Sequence, residues 1–256
     1  MLYYENVSIT GNKKLTEDIF DMRFRSHDIA AAAKPGQFVN IYCNDSSRLL
    51  PRPVSICETD GDEIRVVYRV VGSGTGELSG LRSGDMINVT GPVGNGYDVD
   101  MINNTFDSVM LFGGGVGIPP MIELSKRLSI KKNVFLGYRD VLFLNEVFDA
   151  EADVHIATED GSSGTRGNVL DALKESGADA ELICACGPLP MLRAIKKYAD
   201  EHGKKAFFSM EERMACGVGA CLGCVCKTRD KDEHSQVNNA RVCVDGPVFD
   251  ADDIVI

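Results

Sequence analysis

Residues 108–127 read SVMLFGGGVGIPPMIELSKR, and the order of elements in this stretch decides the architecture of its half of the chain. Ser108 to Phe112 is an apolar run of strand length. Gly113, Gly114, Gly115 and Gly117 form a turn, and Pro119-Pro120 opens a segment with helical apolar spacing. The alternation continues to about residue 205. Strand-like runs NVFLGY, DVHIAT and ELICAC are separated by amphipathic segments such as NVLDALKES and PMLRAIKKYADEHG, and AFFSM adds a fifth run. This pattern predicts a parallel sheet with helices on both faces.

Upstream the pattern is different. Residues 1 to about 98 hold short β-branched and aromatic runs (NVSIT, IFDMRFR, GQFVNIY, PVSICET, EIRVVYRVV, DMINVT) broken by Gly, Asn, Asp and Pro, which predicts a small antiparallel barrel or sandwich. Downstream of Met210 the chain turns Cys- and Gly-rich, with TRDKDEHSQVNN reading as an exposed loop. We therefore expect three parts: a barrel over 1–100, a Rossmann-like parallel α/β domain over 101–208 and a small lobe over 209–256. A chain of 256 residues, 44% of them hydrophobic, can supply a core for each large part.

The formal net charge of −11 argues against a nucleic-acid partner, because phosphate binding needs a concentrated Lys/Arg surface. The opening MLYYENVSITGNKK lacks the features of a secretory signal, and no stretch approaches the ~20 apolar residues of a bilayer span. The expectation is a cytoplasmic protein without a membrane partner. Nine cysteines are odd as a disulfide set in a reducing compartment, and five of them fall between Cys216 and Cys243.

That cluster carries the sharpest chemical signal. In ACGVGACLGCVC followed by VCVDGP, Cys216, Cys221 and Cys224 have the CxxxxCxxC spacing that wraps a plant-type [2Fe–2S] cluster, with Cys243 as a fourth thiolate. Gly217, Gly219 and Gly223 let the loop bring N–H groups towards the cluster sulfurs. Buried structural cysteines and a tetrahedral zinc site are the rivals; two CxxC knuckles would favour zinc, and only one CxxC is present. Cys226 reads as a bystander. Cys184, Cys186, Cys43 and Cys57 read as ordinary core cysteines.

Two further motifs suggest cofactors. The glycine turn Gly113–Gly117, ending a strand and opening a helix, can admit a pyrophosphate, although it is not the full GxGxxG fingerprint; CACGPLPML makes a second such turn. Arg52-Pro53-Val54-Ser55, Tyr68-Arg69-Val70 and Gly72-Ser73-Gly74-Thr75-Gly76 offer a phosphate-pairing arginine, a hydroxyl for a flavin edge and a glycine loop, each commonplace alone.

Taken in order, RPVS, GSGTG, GPVGNGY and GGGVGIPP resemble the ferredoxin–NADP reductase-like superfamily. The tail SMEERMACGVGACLGCVCKT with VCVDGPVF resembles a narrower family, the electron-transfer subunits of type B dihydroorotate dehydrogenase, and the resemblance extends over essentially the whole chain. It implies FAD on Arg52, Pro53, Val54, Ser55, Tyr68, Arg69, Val70, Gly74 and Thr75, and a cluster on Cys216, Cys221, Cys224 and Cys243. It also implies NAD as electron acceptor in the second domain, a partner catalytic subunit carrying FMN, and a heterotetramer with two subunits of each kind. Two features depart from the family: the eighteen residues between Cys224 and Cys243, and RPVS where many reductases have an aromatic. The rival assignment is a related flavin and iron–sulfur NAD(P)H reductase subunit of a hydrogenase, sulfite reductase or ferredoxin oxidoreductase.

Overall fold

A computed structural model of the chain describes residues 1–148, 151–231 and 236–256. Six strands close into an antiparallel barrel in the order β1-β2-β5-β4-β3-β6. They are β1 (Tyr3–Lys14), β2 (Ile19–Arg25), β3 (Phe38–Tyr42), β4 (Arg52–Asp60), β5 (Glu63–Arg69) and β6 (Met86–Val93), with helix α1 (His27–Ala32) before β3 and α2 (Ser73–Gly80) before β6. The period-2 pattern of β5 shows why they form. Ile64, Val66 and Tyr68 enter the barrel core, while Val67 packs with side chains of the second half of the chain. Arg65 shares that outer face and is buried, with its guanidinium on Asp21 at 2.8 Å and Glu58 at 3.2 Å.

The second half is a seven-stranded sheet in the order β10-β9-β8-β7-β11-β12-β15, the last strand being Val248–Asp250. Its parallel strands are β7 (Ser108–Gly114), β8 (Lys131–Tyr138), β9 (Ala152–Thr158), β10 (Thr165–Arg166), β11 (Leu182–Cys186) and β12 (Lys205–Ser209). Helices α3 (Val99–Thr105), α4 (Pro119–Arg127), α5 (Val169–Ser176) and α6 (Leu189–His202) complete it. Successive residues of β11 feed opposite cores: Leu182, Cys184 and Cys186 one, Ile183 and Ala185 the other. Both faces are thus covered, which explains the continuous apolar runs. Helix α4 lies across β4, with Glu123 accepting from the Thr59 hydroxyl at 3.2 Å and Lys126 paired with Glu58.

The C-terminal residues do not stand apart. A hairpin of β13 (Val225–Lys227) and β14 (Asn239–Arg241) is followed by β15 (Val248–Asp250), which returns to pair antiparallel with β12 at the edge of the large sheet. A three-residue strand leaves too short a pattern to be recognised from sequence. Cys224, Val242 and Cys243 pack in one core with Phe38 and Val93 of the barrel, Phe208 of β12 and Met210 just after it. Of the expected exposed loop 228–239, residues 232–235 lie outside the described residues.

Candidate cofactor sites

The first cavity, of about 280 Å³, opens where the barrel meets the sheet. Pro53, Val54 and Ser55 of β4, Tyr68 and Arg69 of β5 and Thr75 of α2 line it, so six of the nine residues expected there are brought together. Arg52 and Gly74 meet beside it: a Cβ on Gly74 would fall 1.9 Å from Arg52 Nε, so only glycine lets the guanidinium cross the start of α2. The Thr75 hydroxyl accepts the N–H groups of Val71 at 3.0 Å and Gly72 at 3.2 Å, which holds that turn open to solvent. Val70 instead lines a neighbouring groove. Burial pushes the Tyr68 phenol up, so it stays neutral, and its OH donates to Asn12 Oδ1 at 3.4 Å.

Sequence reasoning missed Phe38, Val116, Ser209, Met210, Glu211, Glu212 and Met214, all of which border this cavity. The available signal was position: SMEERM directly follows the last parallel strand, and ligands of such sheets collect at strand carboxyl ends.

A second cavity of about 530 Å³ sits at the carboxyl ends of β7, β8 and β9, lined by Gly114, Gly115, Tyr138, Arg139, Glu159 and Met191 among others. The four glycines of the β7 turn divide in role. Gly114 and Gly115 face the cavity. A Cβ on Gly113 would come within 2.9 Å of Ile118 Cα, and one on Gly117 within 2.3 Å of the Cys186 carbonyl oxygen, so these two permit close packing of the turn. Helix α4 begins with Pro119 and Pro120, and so lacks two of the N–H groups that a helix start offers an anion. Arg69 borders both cavities, and Val116, one residue past Gly115, borders the first, so the two sites meet at this turn.

At the third site the loop from Cys216 to Cys224 folds back on its own sulfurs. Cys216 Sγ accepts the N–H groups of Val218 at 3.5 Å and Ala220 at 3.2 Å, and Cys221 Sγ accepts those of Cys216 at 3.5 Å and Gly223 at 3.4 Å. Gly217 and Gly219 make this possible with φ of +64° and +86°. Burial opposes ionisation of Cys216, but the N–H groups and the Cys221 thiol prevail and lower its pKa to about 7. Cys243 is pushed up to about 12 by burial and by the adjacent Cys224 thiol.

Cys216 and Cys221 are thus tied together through backbone N–H groups, and the Cys224 thiol adjoins that of Cys243. Among the described residues no group of three His, Cys, Asp or Glu side chains is gathered ready to hold a single metal ion. A loop that aims N–H groups at the sulfurs of Cys216 and Cys221 suits an iron–sulfur cluster, whose negative charge such donors stabilise. Cys226 is buried, and its thiol is raised chiefly by burial.

A closed barrel followed by a parallel α/β sheet is the fold of ferredoxin–NADP+ reductases. The Neisseria gonorrhoeae enzyme with bound FAD and NADP matches 78% of this chain and 92% of its own with a TM-score of 0.65 at 14% identity. A solved NADH-dependent reduced ferredoxin–NADP oxidoreductase, described for flavin-based electron bifurcation, matches 97% of this chain and 89% of its own with a TM-score of 0.86 at 28% identity. The family model for the iron–sulfur cluster binding domain of dihydroorotate dehydrogenase B matches residues 211–255.

Curated relatives named "Dihydroorotate dehydrogenase B (NAD(+)), electron transfer subunit" match over the full length. That of Lysinibacillus sphaericus is 40% identical over 97% of both chains, and that of Fusobacterium nucleatum subsp. nucleatum 38% identical over 98% of both. The chain belongs to the family of dihydroorotate dehydrogenase B electron-transfer subunits.

Proposed function

We propose that this chain carries electrons from dihydroorotate oxidation at the FMN of a partner catalytic subunit, through a [2Fe–2S] cluster and FAD, to NAD, in pyrimidine (UMP) biosynthesis. The observation that carries this reading is one continuous segment: Ser209, Met210, Glu211, Glu212 and Met214 border the first cavity, and Cys216 follows two residues later. The cluster loop thus adjoins the barrel cavity, which in turn adjoins the second cavity through Arg69 and Val116.

When bound, FAD supplies the exchange between one-electron and two-electron carriers that joins an iron–sulfur cluster to a nicotinamide. The residues of this chain position the groups. Cys216, Cys221, Cys224 and Cys243 hold the cluster. Ser55 offers a hydroxyl and Tyr68 a neutral phenol to the flavin, and Arg52 over Gly74 offers a charge to its phosphates. Gly114 and Gly115 let the nicotinamide nucleotide approach the turn that also faces the flavin. We place the three parts at 1–100, 101–208 and 209–256, and the assembly as two subunits of each kind. The nine cysteines are all unpaired, which supports a cytoplasmic setting, and no described helix is long and apolar enough to cross a membrane.

The test begins with anaerobically purified protein, whose absorption spectrum shows flavin and iron–sulfur bands if the reading holds; a colourless protein with stoichiometric zinc contradicts it. Gly74→Ala should force Arg52 aside and weaken FAD binding about tenfold, equivalent to ~1.4 kcal/mol. Fluorescence of released FAD measures this, and unchanged affinity removes Arg52 from the site.

Nicotinamide choice follows from the end of β9. The stretch Thr158-Glu159-Asp160-Gly161 offers two carboxylates, but Asp160 turns to accept Ser162 N–H at 3.0 Å, while Glu159 faces the second cavity. The cations lining that cavity are Arg69 and Arg139 rather than Arg166. A carboxylate there repels a 2′-phosphate, and such like-charge contacts cost several kcal/mol, so kcat/KM for NADH should exceed that for NADPH by roughly 100-fold. Glu159→Gln should narrow the gap. Equal efficiencies in the parent protein would contradict the assignment.

A further inference from the structure

Asn40 is a fully buried polar side chain in the wall of the barrel, and nothing in the barrel accounts for it. Its neighbours Val39 and Ile41 point into the barrel core, whereas Phe38 and Asn40 face the cysteine lobe. The Asn40 amide Nδ2 donates to the carbonyl oxygen of Gly217 at 3.2 Å, across 177 positions of sequence. Its Oδ1 has no partner, so the residue bears the cost of a buried unsatisfied acceptor in order to make this one contact. The approach is close: a Cβ on Gly217 would fall 2.4 Å from Nδ2, and only glycine leaves room for the amide.

The Gly217 carbonyl and the Val218 N–H belong to one planar peptide unit and point in opposite directions. Asn40 holds the carbonyl end, and the N–H end is donated to Cys216 Sγ at 3.5 Å. One rigid plane therefore transmits the position of a barrel side chain to a cysteine sulfur. On the other strand of the same barrel pairing, Asn40 lies opposite Pro53, which lines the first cavity. A second tie from barrel to lobe, Asn95 Nδ2 to the Val244 carbonyl at 2.9 Å, is exposed and reaches no sulfur.

We propose that Asn40 is a positioning residue for the iron–sulfur cluster: by fixing the 217–218 peptide plane it maintains the N–H bond to Cys216 and thereby raises the cluster's reduction potential. The inference rests on Cys216 being a cluster ligand. Reduction adds negative charge to the cluster, and an N–H aimed at a ligand sulfur stabilises that charge; a peptide free to rotate stabilises it less.

Asn40→Leu keeps the approximate volume while removing the donor and the unsatisfied acceptor together, and Asn40→Ala guards against misfit of the leucine. In protein with full flavin, iron and sulfide, each is expected to make one-electron reduction of the cluster three- to tenfold less favourable. Tenfold corresponds to a fall of about 59 mV for a one-electron couple. The EPR g-values of the reduced cluster should move with it, while Asn95→Ala leaves both unchanged. Unaltered potential and EPR spectrum in both Asn40 variants overturn the proposal. So does loss of iron or flavin from both, since the amide is then a structural prop. Failure of the underlying ligand assignment is seen separately, as a Cys216→Ser protein that retains its iron.

Discussion

Serine in place of Cys216, Cys221 or Cys224 is expected to strip the protein of its iron and labile sulfide, to roughly a tenth or less of the parent content, with Cys226→Ser close to the parent value. Cys243→Ser belongs with the first group. Serine is a hard oxygen donor with a high pKa, and it cannot replace a thiolate whose negative charge is part of the bond to iron. Cys216 and Cys221 already collect four N–H contacts between them, and Cys224 and Cys243 already face one another. Cys226 lies in β13, opposite Ala240, and is buried. NADH oxidation with an artificial acceptor should survive in the cluster-free variants, because that reaction needs only the two cavities that meet at Arg69. Iron and sulfide analysis of the five variants decides the matter: a Cys226→Ser protein without iron beside a Cys224→Ser protein with it would reverse the assignment.

The isolated chain should exchange electrons between NADH and artificial acceptors yet show no measurable oxidation of dihydroorotate. Barrel, sheet and lobe occupy the described chain, and a dehydrogenase barrel typically needs ~250 residues of its own. Co-expression with the FMN-containing catalytic subunit should give a co-purifying complex that reduces NAD when supplied with dihydroorotate. Cys221 is exposed, with Val218 at 42% and Leu222 at 64% exposure beside it, so the sulfur that a partner's redox centre would approach is ringed by apolar surface. Leu222 also holds a φ of +56°, a strained conformation for a leucine. A stable complex should bury ~1,200 Å² or more there. Turnover of dihydroorotate by the lone chain, or failure of the two subunits to bind and exchange electrons, would end the functional assignment.

Much of this was legible before any coordinates. Local rules suffice for SVMLFG, NVFLGY and ELICAC, because a parallel strand buried on both faces must be apolar throughout, and glycine with proline marks where it gives way to helix. The spacing Cys216, Cys221, Cys224 was equally plain, since a loop wrapping a small cluster needs its thiolates a few residues apart. The glycine turn was read less finely. Sequence placed four glycines together but had no means of separating Gly114 and Gly115, which face a cavity, from Gly113 and Gly117, which make room for Ile118 and for the β11 end.

What sequence alone determined, then, is the order of elements and the CxxxxCxxC spacing of Cys216, Cys221 and Cys224, both of which depend on residues close together in the chain. Tertiary structure decided which sites touch. Ser209 to Met214 borders the flavin-type cavity formed by β4 and β5, β15 returns to the edge beside β12, and Asn40 reaches Gly217. The first and last of these join residues brought together only by closing the barrel against the rest of the chain, and the second joins the C-terminal residues to an edge of the sheet. A lone asparagine within FVNIY has the same local pattern whether it faces water or a peptide 177 positions away, and only the burial of its strand against the cysteine lobe distinguishes the two.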